Sequence, residues 1–481
     1  MSLADFTTDR EACKRAALRD AERVLFWPDF DSESRRSLPF FLREFRRGGC
    51  VGIWGENSLD YLTLVARLLR AGCLPVPLNT RSTPDELAMV AWGVRLEALI
   101  AIRRLPPEHR DVIKELPVWQ LTPEPMRVVA LREGVNHIFS LDTASLLICS
   151  SGSEGHVKSV QLSVRAMFDH AAAVCKHLML NSTDTWLICL PFFHVGGLAI
   201  PFRCLVAGAS FLVCPEADPA EMNSRIDRGD ATIISVVPTQ LRAMLDERSD
   251  RPYPPSLRAI IVGGGPVPEE LINRCPQALP TYGLSESGSM LTCARPGCDE
   301  TERHSAGNCL PGTQIKIVNE SGQELRSGEE GMILASGPGL AMGYWKDPVR
   351  TAKAFRDGWL HTGDIGRRDT HGNVHVLSRR TDLILSGGEN IYPADIERVL
   401  RQHPHVDAAI VLPVPDDKWG QVPAALVVSK NSSLNESELL SFLEKQLARY
   451  KLPRRIVFTD HLPLLGNDKP DLNAIRTMLT P

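Results

Sequence analysis

The chain has 481 residues, 54 basic and 58 acidic side chains, a formal net charge of −4 and 43% apolar residues. That balance gives enough core for more than one domain and excludes a basic nucleic-acid binder, because lysine and arginine concentrate in no single stretch. The 12 cysteines are scattered, mostly inside apolar runs, with no CxxC pair, a pattern that suits reduced thiols.

From Met1 to Asp20 charged residues alternate with single apolar ones, without the apolar stretch of a secretory signal, so a cytoplasmic location is expected. Between Gly49 and Ile102 strand-like runs (Cys50–Trp54, Leu74–Leu78, Ala98–Ile102) alternate with helical patterns (Leu59–Ala71, Pro84–Trp92), the signature of βαβ units and a parallel sheet. A further strand, Ala144–Cys149, runs into Ser150-Ser151-Gly152-Ser153-Glu154-Gly155-His156-Val157-Lys158 and then into a strand over Ser159–Leu162. Small residues there let backbone N–H groups approach a polyphosphate, and the ammonium of Lys158 adds charge. The spacing is not that of a P-loop, and a surface hairpin explains it equally well.

The least polar stretch, Trp186–Phe202, is broken by Pro191, His194, Gly196, Gly197 and Pro201, so it predicts buried strand, loop and helix and no membrane insertion. Strands follow at Ser210–Cys214, Thr232–Val237 and Leu257–Val262, completing a large doubly wound α/β body. The last of these ends in Gly263-Gly264-Gly265-Pro266, where a flat ring can pack on bare backbone or the chain can simply turn. Tyr282-Gly283-Leu284-Ser285-Glu286 then offers an aromatic face, a hydroxyl and a carboxylate able to ligate Mg²⁺.

After about Ser305, short strands with turn signals predict a small β-barrel-like unit, and Gly363-Asp364 places a carboxylate suited to ribose hydroxyls or to a turn. From Asp382 the order β-α-β-β-α-β, with helices from Pro393 and over Glu436–Tyr450, predicts a small α+β lid. The expected division is 1–378 for the large N-terminal domain and 382–481 for the lid, with a hinge near 379–382.

The order of these motifs resembles the acyl-adenylate-forming superfamily of acyl-CoA synthetases, peptide-synthetase adenylation domains and luciferases. The likeness runs from about Gly49 onward through the loop ending in Lys158, Pro191-Phe192-Phe193-His194, Gly263–Pro266, Tyr282–Glu286, Thr362-Gly363-Asp364, Arg379 and Lys469. Within it, Arg379–Ala394, Asp416–Pro423 and His194-Val195-Gly196-Gly197-Leu198 with Arg203 are most similar to the o-succinylbenzoate-CoA ligases of menaquinone biosynthesis.

The resemblance implies a ligase using ATP, Mg²⁺ and coenzyme A on a small carboxylic acid, with a homo-oligomer left open. It implies that Lys469 acts at the α-phosphate and the acid, and that Lys158 with Ser151, Gly152, Ser153 and Gly155 grips the outer phosphates. Glu286 would ligate magnesium and Ser285 contact phosphate. Gly263, Gly264, Gly265, Tyr282 and Gly283 would frame adenine, and Asp364 with Arg379 would hold the ribose. His194 would wall the acyl pocket and Arg203 would face a second carboxylate, unless a structural ion pair occupies it. The lid would turn near Thr381 to bring Gly387 and Gly388 beside the pantetheine.

Departures from the family pattern fall at Glu154, Val157, Ser378 and Asp468. They keep two other readings open: a ligase for another acid, and a non-catalytic nucleotide- or acyl-binding homologue.

Overall fold

The computed structural model of the protein describes residues 7, 9–36, 38–121, 141, 145–151, 157–249, 251–379, 384–386, 389–391, 393–416, 419–429, 434–447, 449–465 and 470–480. Two compact units divide the chain. One comprises Met1–Lys316, Leu334–Thr362 and Arg368–His375, the other Ile317–Ile333, Gly363–Arg367 and Val376–Pro481.

The first unit begins with β1 (Ala17–Arg19), β2 (Val24–Phe26), β3 (Cys50–Trp54), β4 (Leu74–Pro77), β5 (Leu96–Ala101), β6 (Val118–Gln120), β7 (Ser145–Ser151) and β8 (Val157–Ser163). It continues with β9 (Thr185–Ile188), β10 (Ser210–Val213), β11 (Ile233–Val236), β12 (Ala259–Val262), β13 (Ala278–Leu284), β14 (Ser289–Cys293) and β15 (Asn308–Cys309). Also in it are β18 (Gly343–Tyr344) and β19 (Phe355–Arg356), whereas β16 (Gln314–Val318), β17 (Gly331–Ser336), β20 (Trp359–Arg368) and β21 (Val374–Arg379) have residues in both units.

A nine-stranded sheet has the order β15-β14-β13-β12-β11-β9-β10-β1-β2. Its strands from β13 to β1 pair in parallel. They are apolar at almost every position because both faces are covered. Trp186, Ile188, Phe211, Val213, Ile233 and Ile261 point into one core, where the helices Val164–Leu178 and Val195–Ala207 pack. Their neighbours Leu187, Leu212, Ile234, Val236, Ile260 and Val262 point into another, under the helices Pro219–Asp227 and Pro238–Arg248. This period-two division makes the sheet doubly wound, as the sequence predicts. A second, four-stranded sheet, β4-β3-β5-β6, is parallel throughout.

The segment after Lys158 forms no helix. Lys158 lies on β8, opposite Ser150 in an antiparallel hairpin whose other edge strand is β18.

The N-terminal strand β1 adds to the large sheet beside β10, an element of three residues too short to show periodicity. No helix among the described residues is long and apolar enough to cross a membrane.

In the second unit, β22 (Ile384–Ser386), β23 (Glu389–Ile391), β24 (Val406–Asp416), β25 (Gly420–Ser429) and β26 (Arg455–Thr459) form one sheet. The helix Pro393–Arg401 and the helix Glu436–Leu443 cover one core, and a terminal helix, Leu472–Leu479, covers another. The helix expected over Glu436–Tyr450 stops at Leu443 and gives way to a 3₁₀ turn at Arg449–Lys451.

Candidate active site

In the parallel sheet the connection from β9 to β10 passes over one face and that from β10 to β11 over the other. The strand order therefore reverses beside β9, so the carboxyl ends of β9 and β11 stand at the kind of topological switch point where α/β sheets bind ligands. Leu190–His194 follows β9, Gly263–Gly265 follows β12, and Tyr282–Glu286 closes β13, so three of the expected motifs share one edge of the sheet.

At this edge Glu286 sits in a 3₁₀ turn, Ser285–Ser287, shaped by Ser287, whose hydroxyl receives the Leu284 N–H at 3.0 Å. Glu286 is 5% exposed. Its carboxylate pairs with the ammonium of Lys158 and accepts a hydrogen bond of 2.8 Å from Tyr344 Oη. Burial alone would raise the Glu286 carboxyl. The Lys158 charge and the Tyr344 hydroxyl outweigh it and hold the group below the ordinary carboxylate range.

The structure thus brings together two of the expected site residues, the cation of Lys158 and the hard oxygen donor of Glu286. Among the described residues no cluster of three or more His, Cys, Asp or Glu could hold a metal. Glu286 fits magnesium in the manner usual for that ion, as one carboxylate whose partners are phosphate oxygens and water.

Gly263 and Gly264 are constrained and Gly265 is open. A Cβ at Gly263 would lie 2.8 Å from Thr281 Cγ2, Gly264 has φ +82°, and a Cβ at Gly265 would meet nothing within 4 Å. Tyr282 is half-buried on β13, just before a bulge at Gly283. A Cβ at Gly283 would lie 1.6 Å from the Ser289 carbonyl oxygen. Ser285 opens the Glu286 turn.

His194 is the N-cap residue of the helix Val195–Ala207, its ring 4.6 Å from that of Phe193. Asn57 fixes the approach to it. Its amide donates to the Leu190 carbonyl at 2.8 Å and accepts from the Phe192 N–H at 2.8 Å. Gly197 lets the helix start against this loop, where a Cβ would come within 2.4 Å of the Leu190 and Pro191 carbonyl oxygens. Neither Asn57 nor Tyr344 carries a sequence signal of its own.

Arg203 lies on the same helix and is 0% exposed. Its Nε and Nη2 have no hydrogen-bond partner among the described residues, and its Cζ sits 5.4 Å from the centre of the Trp186 ring. The structural ion pair that the sequence leaves open is therefore not what these residues form. Burial pushes the guanidinium down to about 10, so it stays charged at neutral pH.

His170 is buried too. Its Nε2 is 2.9 Å from the Met290 carbonyl oxygen, which assigns the ring proton to that nitrogen, and its Nδ1 has no partner among the described residues. Burial and the Arg203 charge push the imidazole down to about 3.

In the second unit, Asp364 is 4% exposed inside β20, after Gly363 at φ +78°, so it is not the surface turn former that its sequence context allows. Arg379 ends β21, and in the first unit Ser151 ends β7. Gly152, Ser153, Glu154, Gly155, Thr381, Gly387, Gly388, Asp468 and Lys469 lie outside the described residues. Val157 opens β8 and Ser378 falls in β21. All 12 cysteines are free.

Comparison with known proteins agrees with this layout. The family described as AMP-binding enzyme matches residues 6–345, and its C-terminal domain matches 395–469. The chain is 37% identical over 428 residues to a 2-succinylbenzoate--CoA ligase of Bacillus cereus, covering 88% of this chain and 87% of that one. Two solved structures of o-succinylbenzoate CoA synthetase (MenE) from Bacillus subtilis are similar. One is in complex with the acyl-adenylate intermediate OSB-AMP, with a TM-score of 0.88 and 30% identity, covering 98% of this chain and 96% of that one. The other, with ATP and a magnesium ion, has a TM-score of 0.87 and 29% identity, covering 96% of each chain. The chain has the adenylate-forming fold of these structures and belongs to the AMP-binding enzyme family.

Proposed function

We propose that this protein is an AMP-forming acid-thiol ligase that joins o-succinylbenzoate to coenzyme A through an acyl-adenylate, a step of menaquinone biosynthesis. The observation that carries the choice of acid is Arg203, a fully buried cation with no counter-ion among the described residues, on the helix that His194 opens. A dicarboxylic acid keeps one carboxylate for the reaction and supplies the other to that guanidinium.

The chemistry has two halves. First the substrate carboxylate attacks the α-phosphorus of ATP and pyrophosphate leaves. Then the coenzyme A thiol attacks the acyl carbonyl and AMP leaves. Both reactants of the first half are anions, so the site must supply positive charge where water is excluded. Opposite unit charges at 4 Å attract by about 4 kcal/mol at an effective dielectric of 20 but about 1 in bulk water.

Lys158, with Ser151, Gly152, Ser153 and Gly155, holds the outer phosphates, and Lys469 acts at the α-phosphate and the carboxylate. Magnesium, held by Glu286 when bound, neutralises phosphate charge. Gly263–Gly265, Tyr282 and Gly283 take the adenine, Ser285 a phosphate, and Asp364 and Arg379 the ribose. His194 walls the acyl pocket. A turn of the C-terminal domain about 379–382 withdraws Lys469 after the first half and presents Gly387 and Gly388 to the pantetheine for the second. The enzyme needs no covalent nucleophile, in keeping with thiols that burial keeps protonated at Cys149, Cys204 and Cys293. A cytoplasmic location fits these substrates.

Incubation with o-succinylbenzoate, ATP, magnesium and coenzyme A should yield o-succinylbenzoyl-CoA and AMP by mass spectrometry. A thioester formed from another acid of a panel, and not from o-succinylbenzoate, would move the assignment to a different acyl- or aryl-CoA ligase. Absence of any thioester would favour the non-catalytic homologue.

A further inference from the structure

Tyr344 has no role in the reading above, yet it is bound to both charged members of the site. Its Oη donates to Glu286 Oε1 at 2.8 Å, and the Lys158 ammonium lies 5.2 Å from its ring centre. Lys158 pairs with the same oxygen, Oε1. We propose that Tyr344 is a positioning residue that holds the Glu286 carboxylate in place while its cationic partner changes from Lys158 to a divalent metal ion. This rests on the reading of Glu286 as the metal ligand.

The backbone fixes Tyr344 from two sides. On β18 it pairs with Val160 of β8, and Lys158 is two residues away on the same face of that strand, the diagonal position from which a long side chain reaches an aromatic ring. The Met342 N–H bonds Gln161 O at 2.9 Å, the Trp345 N–H bonds Ser159 O at 2.8 Å, and the Ala341 N–H bonds the carbonyl of Glu286 itself at 2.8 Å. The segment that carries the phenol is therefore tied both to the strand of the lysine and to the turn of the carboxylate. The Tyr344 N–H bonds Thr351 Oγ1 at 2.9 Å, and Asp347 caps the helix Pro348–Ala354 behind it.

The need for such a group follows from charge. A buried carboxylate without a cation is costly, so Lys158 satisfies Glu286 in the absence of metal. Once Lys158 turns to phosphate, Glu286 must accept metal without leaving its orientation, and a neutral donor at 2.8 Å keeps it there without competing for its charge.

The test is calorimetric titration of magnesium into the full-length protein with a non-hydrolysable ATP analogue, for the parent, Tyr344→Phe and Glu286→Gln. Loss of one charge-assisted hydrogen bond predicts about tenfold weaker magnesium binding in Tyr344→Phe, with AMP affinity, unfolding midpoint and thioester formation from preformed acyl-adenylate unchanged. The magnesium concentration for half-maximal adenylate formation should rise in parallel, with the rate recovered at saturating metal. Parent-like magnesium affinity in Tyr344→Phe, with Glu286→Gln impaired, overturns the proposal and leaves Glu286 as ligand. Parent-like affinity in Glu286→Gln overturns both. A Tyr344→Phe protein that loses AMP affinity and unfolding midpoint together with metal overturns the specific role, because a packing defect then explains it.

Discussion

The guanidinium carbon of Arg203 lies 5.4 Å from the centre of the Trp186 ring, and both side chains are 0% exposed. An aromatic face thus stands where a buried arginine ordinarily has a carboxylate. Such a charge is a burden on the fold unless a ligand completes it.

Arg203→Met should therefore leave the unfolding midpoint unchanged or raise it, because an apolar side chain of similar length replaces a charge that has no counter-ion among the described residues. The same change should raise the KM for o-succinylbenzoate by roughly a hundredfold, the worth of about 2–3 kcal/mol for a buried charged hydrogen bond. A monocarboxylic analogue should lose far less. Equal losses for both acids would assign Arg203 to packing.

Lys158→Met should slow adenylate formation by about 10²–10³-fold, the range for removing one preorganised electrostatic contact, while AMP affinity measured by calorimetry stays near the parent value. If AMP binding falls as far as ATP use, Lys158 does not face the outer phosphates.

The three glycines after β12 permit a steric test. Gly265→Ala meets nothing within 4 Å in the protein, so its unfolding midpoint should match the parent, whereas nucleotide affinity should drop if adenine packs on that backbone. Gly283→Ala makes the opposite case. Its Cβ would sit 1.6 Å from the Ser289 carbonyl oxygen, and removal of the bulge should destabilise the protein by at least about 4 kcal/mol. A midpoint within a degree of the parent would contradict the packing described for this turn.

The buried histidines give a pH signature. His170 is pushed down from 6.5 to about 3, and His177, bonded to the Cys293 carbonyl, is also lowered by burial. Below 6.5 the unfolded chain takes up protons that the folded chain refuses, so stability is full above that pH and is lost progressively as pH falls toward 3. The unfolding midpoint should fall through this window. His170→Gln, which keeps a donor for the Met290 carbonyl, should flatten the fall. An unchanged slope would show that His170 is accessible to protons in the folded protein.

Much of this was legible in the sequence, for physical reasons that differ by element. The doubly wound body could be read because β9 to β12 are short apolar runs separated by helical segments. The placement of Leu190–His194, Gly263–Gly265 and Tyr282–Glu286 at strand ends could be read because each follows or closes an apolar run. The meeting of Lys158, Glu286 and Tyr344 could not, since it depends on β18 pairing with β8 and on the turn after β13, neither of which has a local signature. Asn57 was invisible for a similar reason, because its partners Leu190 and Phe192 are brought to it by packing. The isolation of Arg203 was also hidden. A sequence shows that a cation is present, but it does not show that no carboxylate among the described residues reaches it.

The claim on which the rest depends is that the protein makes an acyl-adenylate of o-succinylbenzoate before coenzyme A takes part. Isotope exchange between pyrophosphate and ATP, measured without coenzyme A, tests it directly. The account predicts exchange that requires o-succinylbenzoate and magnesium and is lost in Lys469→Ala, while that variant still converts preformed acyl-adenylate to thioester. No exchange above background with o-succinylbenzoate, or equal loss of both halves in Lys469→Ala, would contradict it.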